Sequence, residues 1–323
     1  MPVLIDLVWL VAGLTALFFG ADWLVGGASK LAVRYGISPL VVGLTVVAFG
    51  TSAPELFVSI GFNLGGYPDM ALGNVIGSNI CNIGLVLGIS SFICLLHVKS
   101  ELLIRDVPVL LLATVTFCWM LSDGEISLIE GIILFTAVLA YTVYQLVMAK
   151  GVKNPEVEKQ FEDEFGVDEA KQTSLPVLAF LILAGLVALY FGAGWLEKGG
   201  VSLAMRLGVP EAVISLTLIA FSTSVPELAT SVIASLKKES DIIIGNVIGS
   251  CIFNLLCVIG VTSMIKPVAS AGIETVDLYV MIGFTLLLVP ILWKGRVIMR
   301  WEGAVLLLSY FGYCTFLYFD RVA

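Results

Sequence analysis

The segments GTSAPELFVS at 50–59 and GNVIGSNICN at 73–82 return later in the chain as STSVPELATS at 222–231 and GNVIGSCIFN at 245–254. The offset is 172 residues at every position of both segments. Each copy places one glutamate, Glu55 or Glu227, within an otherwise apolar helical stretch. The duplicated pair of polar blocks therefore outlines an ion site that is built twice.

Composition places the chain among membrane proteins. Of its 323 residues, 59% are hydrophobic and 13% are charged, and the mean hydropathy is +1.04. Soluble domains are roughly half apolar and a quarter charged. The net charge of -8 says little about partners, because much of the acid lies at 156–169. No basic tract suggests nucleic acid, so the expected partner is the lipid bilayer.

Ten segments are long enough to span a membrane, since a spanning helix needs about 20 mostly apolar residues. They form two sets of five, separated by a hydrophilic stretch at 150–174 that is too short for a folded domain. The predicted units are a first five-helix repeat at 1–149, an acidic linker at 150–174 and a second repeat at 175–323. The predicted spans are 3–25, 38–64, 70–95, 102–121, 126–148, 175–196, 209–236, 241–265, 274–293 and 298–318.

The repeat extends beyond the two motifs in one gapless register. At the same offset of 172, Gly20 matches Gly192 and Glu130 matches Glu302. Because each unit has an odd number of helices, the second unit must enter the membrane from the opposite side. The predicted fold is an all-α integral membrane protein with ten transmembrane helices in two inverted five-helix repeats, an architecture of many secondary transporters.

The distribution of basic residues predicts the orientation. Thirteen of the 17 lysines and arginines fall on connections 1–2, 3–4, 5–6, 7–8 and 9–10, and four fall on the other side. The positive-inside rule places the first side in the cytoplasm. We therefore expect a multi-pass plasma (inner) membrane protein with both termini extracytoplasmic and a cytoplasmic linker at 150–174.

Glu55 and Glu227 are the two residues that most need explaining. Each falls near the middle of a predicted span, where an unpaired acid costs about 2.5–3.5 kcal/mol on insertion scales. Packing does not need an acid at that depth, so a purely structural role is the weaker interpretation. Two such acids related by a repeat predict one shared functional site.

The residues around each glutamate suit a hard cation. On a helix, Thr51 and Ser52 share the face of Glu55, because they precede it by four and three residues. Thr223 and Ser224 repeat this arrangement before Glu227. Pro54 and Pro226 lack an N–H, which frees carbonyls one turn earlier and distorts the backbone there. Such freed carbonyls are tolerated within a membrane where they line a cavity or coordinate an ion.

The second block adds a polar stripe at a spacing of four residues. Asn74, Ser78 and Asn82 form it in the first half, and Asn246, Ser250 and Asn254 form it in the second. For the asparagines Asn74 and Asn246, bonding across helices and ion ligation remain equally open. The combined set of carboxylate, hydroxyl, amide and carbonyl oxygens suits Ca²⁺ or Na⁺ and argues against zinc, copper or iron.

Charge counting indicates how two ions could compete. Two ionised glutamates carry a formal charge of -2, which one Ca²⁺ or two Na⁺ would neutralise. Competition for the same carboxylates is the simplest coupling device. Mg²⁺ suits the site less, because it is smaller and sheds its water reluctantly.

The paired motifs, GTSAPE with GNVIGSNICN and STSVPE with GNVIGSCIFN, resemble the two alpha repeats of the sodium/calcium exchanger family within the cation/calcium exchanger superfamily. The resemblance covers essentially the whole chain, with alpha-1 at 48–82 and alpha-2 at 220–254. It implies a prokaryotic antiporter that exchanges Na⁺ for Ca²⁺ by alternating access, with a net charge moved in each cycle. Helices one and six, which are rich in glycine, would then slide across the core.

The resemblance also implies a ligand set, carried over by motif position. Glu55 and Glu227 would bridge the central ions. The remaining ligands would be side chains or backbone carbonyls of Ala48, Thr51, Ser52, Ser78, Asn82, Ala220, Thr223, Ser224, Ser250 and Asn254.

Departures from the family pattern affect the choice of driving ion. Ser222 replaces a glycine and Cys251 stands where the first repeat has Asn79, but neither position is a family ligand. Asn254 stands where several prokaryotic and potassium-dependent relatives carry an aspartate. With an amide there, the site has two acids rather than three, which favours K⁺-independent exchange.

Two other classes of function stay open at this stage. A Ca²⁺/H⁺ exchanger could use the same glutamates as proton carriers, although proton-coupled relatives usually carry an acid within the block that reads GNVIGS here. A remoter alternative is an intramembrane enzyme or a structural membrane protein. No HExxH, GxSxG or paired aspartate motif supports an enzyme. We expect a monomeric transporter with no cofactor.

Overall fold

The computed structural model describes residues 2–35, 37–149, 173–206, 220–270 and 272–321. Most of the predicted linker and the first part of the predicted seventh span, 209–219, lie outside these residues. The described helices, in chain order, are α1 Pro2–Tyr35, α2 Pro39–Val42, α3 Ala48–Thr51, α4 Ala53–Leu64, α5 Pro68–Cys81, α6 Leu87–Ile93, α7 Val107–Met120, α8 Leu128–Ala149, α9 Leu175–Arg206, α10 Ala220–Thr223, α11 Val225–Leu236, α12 Ser240–Phe253, α13 Ile259–Ile265, α14 Thr275–Trp293 and α15 Arg300–Arg321.

Wide π-helical turns join several of these helices without ending the segment. They lie at Gly43–Val47, Asn82–Val86, Leu102–Asp106 and Asn254–Val258. A π turn inserts one extra residue into a helix and is common at functional sites. The second and fourth of these turns are equivalent positions in the two halves, since Asn82 and Asn254 each begin one.

Eight of the described segments are long and apolar enough to cross a membrane. The one from Ser240 to Ile265 is almost entirely buried inside the protein, whereas the one from Val3 to Ala32 is mostly exposed. The predicted tenth span largely coincides with the helix α15, which is not one of these eight segments. In the predicted seventh span, the described part contains the apolar helix α11. The chain is thus a bundle in which outer helices surround a central segment of the second half.

Two helices are longer than the sequence predicts. α1 ends at Tyr35 rather than at residue 25, and α9 ends at Arg206 rather than at residue 196. A helix of 34 residues is about 51 Å long, which exceeds a hydrocarbon core of about 30 Å. The predicted spans capture only the apolar part of each helix, because hydropathy does not detect polar turns that continue it.

α1 and α9 pack against each other in antiparallel register. Asp6 near the start of α1 pairs with Arg206 at the end of α9, at an N–O distance of 2.7 Å. Further along, Gly20 faces the backbone of Gly185 so closely that a Cβ on Gly20 would lie 2.9 Å from the Gly185 carbonyl oxygen. Glycines thus allow direct contact between the two backbones.

Two short antiparallel strand pairs tie the halves together at the ends of the bundle. β1 (Leu96–His97) pairs with β4 (Val297–Ile298), and β2 (Glu125–Ile126) pairs with β3 (Val268–Ala269). Adding 172 converts β1 into β3 and β2 into β4. Each pair therefore maps onto the other when the two halves are exchanged.

The gapless register predicted for the repeat is wrong near α7 and α14. Asp106 accepts a hydrogen bond from Tyr141 and Asp277 accepts one from Tyr313. The tyrosines are 172 residues apart but the aspartates are 171 apart. The π turn that ends at Asp106 accommodates the extra residue of the first half, while α14 begins as a regular α-helix.

Candidate functional site

The helix that carries each glutamate is broken just before it. Ser52 lies between α3 and α4 with φ -86° and ψ 5°, and Ser224 lies between α10 and α11 with φ -89° and ψ 2°. Pro54 and Pro226 occupy the second residue of the new helix, where the missing N–H costs no hydrogen bond. The distortion expected from the prolines is therefore present, and it occurs two residues before each of them.

Each break places its glutamate in the first turn of a new helix. Glu55 is the third residue of α4 and Glu227 is the third residue of α11. Both side chains are completely buried. The positive end of the helix dipole favours an anion at this position, so the local backbone partly compensates for the depth of each acid.

The two hydroxyl residues before Glu55 form hydrogen bonds with the second half, and one of them donates to the other glutamate. Ser52 donates to Glu227 Oε1 at 3.0 Å, and Ser250 donates to the same oxygen at 3.4 Å. Thr51 donates to Asn246 at 3.2 Å. The hydroxyls of Thr51 and Ser52, expected on the face of Glu55, thus form their hydrogen bonds with residues of the second half.

Glu55 is the less satisfied of the two acids. Neither of its carboxylate oxygens makes a hydrogen bond to any residue that the structure describes, and Glu227 Oε2 also has no such partner there. The Glu55 carboxylate lies near the Glu227 carboxylate and the Ser78 hydroxyl. Three buried carboxylate oxygens are thus available to a cation, and desolvated acids without partners are costly.

The hydroxyls of the two halves also contact one another. Ser224 donates to Ser78 at 3.1 Å, and Ser78 lies 3.5 Å from the Thr223 hydroxyl. All three side chains are buried. Ser78 from the first half therefore lies among hydroxyls of the second half, on the side of the site where Glu55 lies.

The four asparagines of the polar stripes divide into two kinds. Asn74 and Asn246 hydrogen-bond across helices through both the oxygen and the nitrogen of the side chain. Asn82 has no partner for either side-chain atom among the described residues, and neither does Asn254 Oδ1. Asn82 and Asn254 are fully buried, so their unpaired oxygens are available as ligands.

The predicted carbonyl ligands differ between the halves. Ala48 accepts the Ser52 N–H at 3.0 Å and lies 3.4 Å from the Thr51 hydroxyl oxygen. In the second half the Ser224 N–H donates to the Phe221 carbonyl at 3.1 Å. The turn before Ser224 is therefore one residue tighter than the turn before Ser52.

Two features of the site were not predicted from the sequence. Asn79 accepts a hydrogen bond from Asn254 at 3.4 Å, although its equivalent in the second half is Cys251. Ser59 and Ser231 receive hydrogen bonds from Asn74 and Asn246. The two serines could have been identified from the sequence, because Ser59 and Ser231 are the last residues of the two repeated segments and are 172 residues apart.

The assembled chemistry is a buried, oxygen-rich set with two acids. In the part of the chain that the structure describes, no group of three or more His, Cys, Asp or Glu side chains could hold a metal ion. The carboxylate, hydroxyl and amide oxygens of the set suit Ca²⁺ and Na⁺.

Comparisons with known proteins agree with this chemistry. The chain is 36% identical over 314 residues to CaxA, a candidate antiporter of Alkalimonas amylolytica, covering 96% of this chain and 98% of CaxA. It is 29% identical to the sodium/calcium exchanger MaX1 of Methanosarcina acetivorans, covering 96% and 97% of the two chains. A structure of the sodium-calcium exchanger NCX_Mj, soaked with zero Na⁺ and Ca²⁺, superimposes with a TM-score of 0.83 at 31% identity, covering 98% and 99%.

The family profile covers both halves separately. The profile described as sodium/calcium exchanger protein matches residues 5–147 and again residues 177–319. The first match lies within 1–149 and the second within 175–323, and neither includes the hydrophilic stretch at 150–174. This chain therefore belongs to the sodium/calcium exchanger protein family.

Proposed function

We propose that the chain is a secondary-active antiporter that exchanges Na⁺ for Ca²⁺ across the membrane. The observation that carries this proposal is the pair of fully buried glutamates, Glu55 and Glu227, with three carboxylate oxygens that lack partners among the described residues. One Ca²⁺ or two Na⁺ would neutralise both acids. Because the two cations would use the same carboxylates, entry of one displaces the other.

The proposed ligand set follows from the buried oxygens around these acids. The ions would be bridged by Glu55 and Glu227, with hydroxyl ligands from both halves, the unpaired oxygens of the two central amides, and carbonyls before each helix break. The proposed ligands in addition to the glutamates are Ala48, Thr51, Ser52, Ser78, Asn82, Ala220, Thr223, Ser224, Ser250 and Asn254.

The arrangement of equivalent elements supports ten spans in two inverted repeats. α1 and α9 are equivalent helices, and they pack antiparallel. The two strand pairs are also related as a two-fold axis in the membrane plane would relate them, since such an axis converts each pair into the other. With the basic side in the cytoplasm, both termini are extracytoplasmic and the linker at 150–174 is cytoplasmic in this proposal.

Alternating access then needs a body that moves relative to the site. α1 and α9 are held to each other by direct backbone contacts and by the ion pair of Asp6 with Arg206. Neither helix contributes a proposed ligand. We propose that they slide as one unit across the core and open the site to one side at a time. More than two Na⁺ per Ca²⁺ would make each cycle move net charge.

Flux through the purified protein tests this function. In proteoliposomes, an imposed Na⁺ gradient should drive ⁴⁵Ca²⁺ uptake that continues when the pH gradient is collapsed and when K⁺ is omitted. The physical reason is that the two carboxylates of Glu55 and Glu227 balance the charge of one Ca²⁺ or two Na⁺, so that neither H⁺ nor K⁺ is needed. Uptake that vanishes with the pH gradient would instead identify a Ca²⁺/H⁺ exchanger, and uptake that requires K⁺ would contradict K⁺-independent exchange.

The identity of residue 254 should determine whether a third cation is needed. Asn254→Asp would make the formal charge of the site -3 instead of -2. Neither one Ca²⁺ nor two Na⁺ neutralises a charge of -3. We expect the Na⁺-driven Ca²⁺ uptake of this variant to change with pH or with K⁺ by about tenfold, which corresponds to about 1.4 kcal/mol.

The matched control is Asn254→Ser, which removes the amide without adding charge and should leave uptake independent of pH and K⁺. Uptake by each variant would be measured in vesicles at acidic and alkaline pH, with and without K⁺. An aspartate variant whose uptake ignores both ions would show that the charge at residue 254 does not select the driving ion.

A further inference from the structure

Asn74 connects three helices from both halves of the molecule. Its side-chain oxygen accepts the Thr223 hydroxyl proton at 3.0 Å. Its side-chain nitrogen donates to Ser59 at 3.1 Å and to the backbone carbonyl of Glu55 at 3.4 Å. One amide in α5 therefore joins the helix that carries the first glutamate to a proposed ligand of the second half.

The orientation of this amide is fixed by its partners. A backbone carbonyl can only accept a hydrogen bond, so the group next to the Glu55 carbonyl must be the amide nitrogen. The oxygen of Asn74 then necessarily faces Thr223. Because that oxygen can only accept, Thr223 must be the donor in the bond between them.

The second half repeats the arrangement at Asn246. Its oxygen accepts from Thr51 at 3.2 Å and its nitrogen donates to Ser231 at 3.3 Å. Thr51 and Thr223 are equivalent residues, and so are Asn74 and Asn246. Each asparagine therefore holds the threonine of the opposite half, and exchanging the halves maps one contact onto the other.

When a hydroxyl donates its proton to a fixed acceptor, the directions of its oxygen lone pairs are fixed as well. A threonine hydroxyl has one O–H donor and two lone pairs, and the lone pairs point away from the O–H direction. A cation needs those lone pairs, whereas a hydroxyl whose proton points at the ion would repel it. The direction of the donated proton is therefore as important to a cation site as the position of the oxygen.

We infer that Asn74 and Asn246 are positioning residues, each of which takes the hydroxyl proton of the opposite half's threonine and so aims that threonine's oxygen at the transported cation. Neither asparagine is itself a ligand, since each is engaged through both its oxygen and its nitrogen. The inference rests on the proposed function, because it assigns a role toward the same ions. It also makes the geometry of each half depend on the other half.

A double-mutant cycle tests this role through Ca²⁺ affinity. The variants are Asn74→Leu, Thr223→Val and the two combined, and Ca²⁺ binding to the full-length detergent-solubilised protein is measured by calorimetry. Each single change should raise the Kd for Ca²⁺ by about tenfold, as expected for loss of one buried polar contact. The combined variant should bind no more weakly than Thr223→Val alone, about tenfold rather than about a hundredfold below wild type, since Asn74 acts on the ion only through the Thr223 hydroxyl.

The control cycle combines Asn74→Leu with Thr51→Val, whose side chains belong to different hydrogen bonds. Here the effects should multiply, and this readout separates a positioning role from a general loss of stability. Multiplying effects in the Asn74 and Thr223 cycle would overturn the inference. If Asn74→Leu does not fold, Asn246→Leu with Thr51→Val supplies the equivalent cycle, with Thr223→Val as the partner for its control.

The outcome for the wild-type protein separates the two proposals. Wild-type protein that shows neither Ca²⁺ binding nor Na⁺-driven Ca²⁺ uptake would defeat the proposed function. If the wild-type protein binds and transports normally but the effects of Asn74→Leu and Thr223→Val on the Kd multiply, only the positioning role would be defeated. Thr223→Ser keeps the hydroxyl donor, so it should restore Ca²⁺ affinity to within about twofold of wild type.

Discussion

Replacing Glu55 or Glu227 by glutamine should abolish Na⁺-driven Ca²⁺ uptake and lower Ca²⁺ affinity by more than about 100-fold. The expected loss follows from breaking a buried charge pair, which costs about 3–5 kcal/mol when one partner is removed. Each glutamine keeps the size of the side chain and removes its charge. Uptake of ⁴⁵Ca²⁺ into proteoliposomes and calorimetric Ca²⁺ binding would measure the effect.

The same variants should move stability in the opposite direction when no ion is bound. Both carboxylate oxygens of Glu55 are buried without hydrogen-bond partners in the described structure. Replacing this acid by a neutral amide lowers the cost of desolvation. We therefore expect Glu55→Gln to raise the melting temperature in ion-free buffer. Glu227→Gln should raise it less, because Glu227 already accepts hydrogen bonds from Ser52 and Ser250.

Glu302 provides the matched control. This glutamate is also buried and also belongs to the repeat, but it accepts the backbone N–H of Met299 at 2.8 Å near the start of α15. A glutamine oxygen can accept the same bond, so Glu302→Gln should leave uptake unchanged. Normal transport by both Glu55→Gln and Glu227→Gln would refute the assignment of the site.

The sequence singles out the buried polar residues around Glu55 and Glu227, but it does not predict most of their contacts. Glu55 and Glu227 stand out because an acid at that depth is costly, and the prolines beside them indicate a broken helix. The pattern on one helix does not reveal which helix packs opposite. Ser52 shows the difference, since its position predicts only that it shares a helix face with Glu55, whereas the structure shows that it donates to Glu227.

The repeat shows where the two halves differ in sequence, but not what those differences do in the structure. Asn79 and Cys251 are equivalent in sequence, yet only Asn79 can accept the hydrogen bond from Asn254. The π turn at Leu102–Asp106 shifts the register of one segment by a single residue. Hydropathy and spacing do not register such local changes, because a one-residue insertion leaves the apolar character of a helix intact.

Tight packing between α1 and α9 gives the second large prediction. A Cβ added at Gly185 would lie 2.7 Å from the Gly20 carbonyl oxygen and 2.8 Å from the Leu24 backbone nitrogen. These are backbone atoms of a neighbouring helix, so they cannot turn aside as a side chain could. Gly185→Leu should therefore separate the two helices and cost at least about 3 kcal/mol, the upper range for overpacking.

The control for this substitution lies on the same helix. A Cβ at Gly194 would meet no atom within 4 Å among the described residues, and this glycine is exposed. Gly194→Leu should leave the melting temperature near that of the wild type, while Gly185→Leu should lose most of the folded protein in size-exclusion chromatography. The milder Gly185→Ala should lower the melting temperature by several degrees.

The function of the helix pair depends on the same contact. If α1 and α9 slide as one unit, Gly185→Ala should slow Ca²⁺ uptake more than it weakens Ca²⁺ binding, because Gly185 lies on a helix that contributes no proposed ligand. Comparing the uptake rate with the calorimetric Kd separates these two effects. A Gly185→Ala protein that folds, binds Ca²⁺ normally and transports at the wild-type rate would show that close packing of α1 against α9 is not needed for the movement.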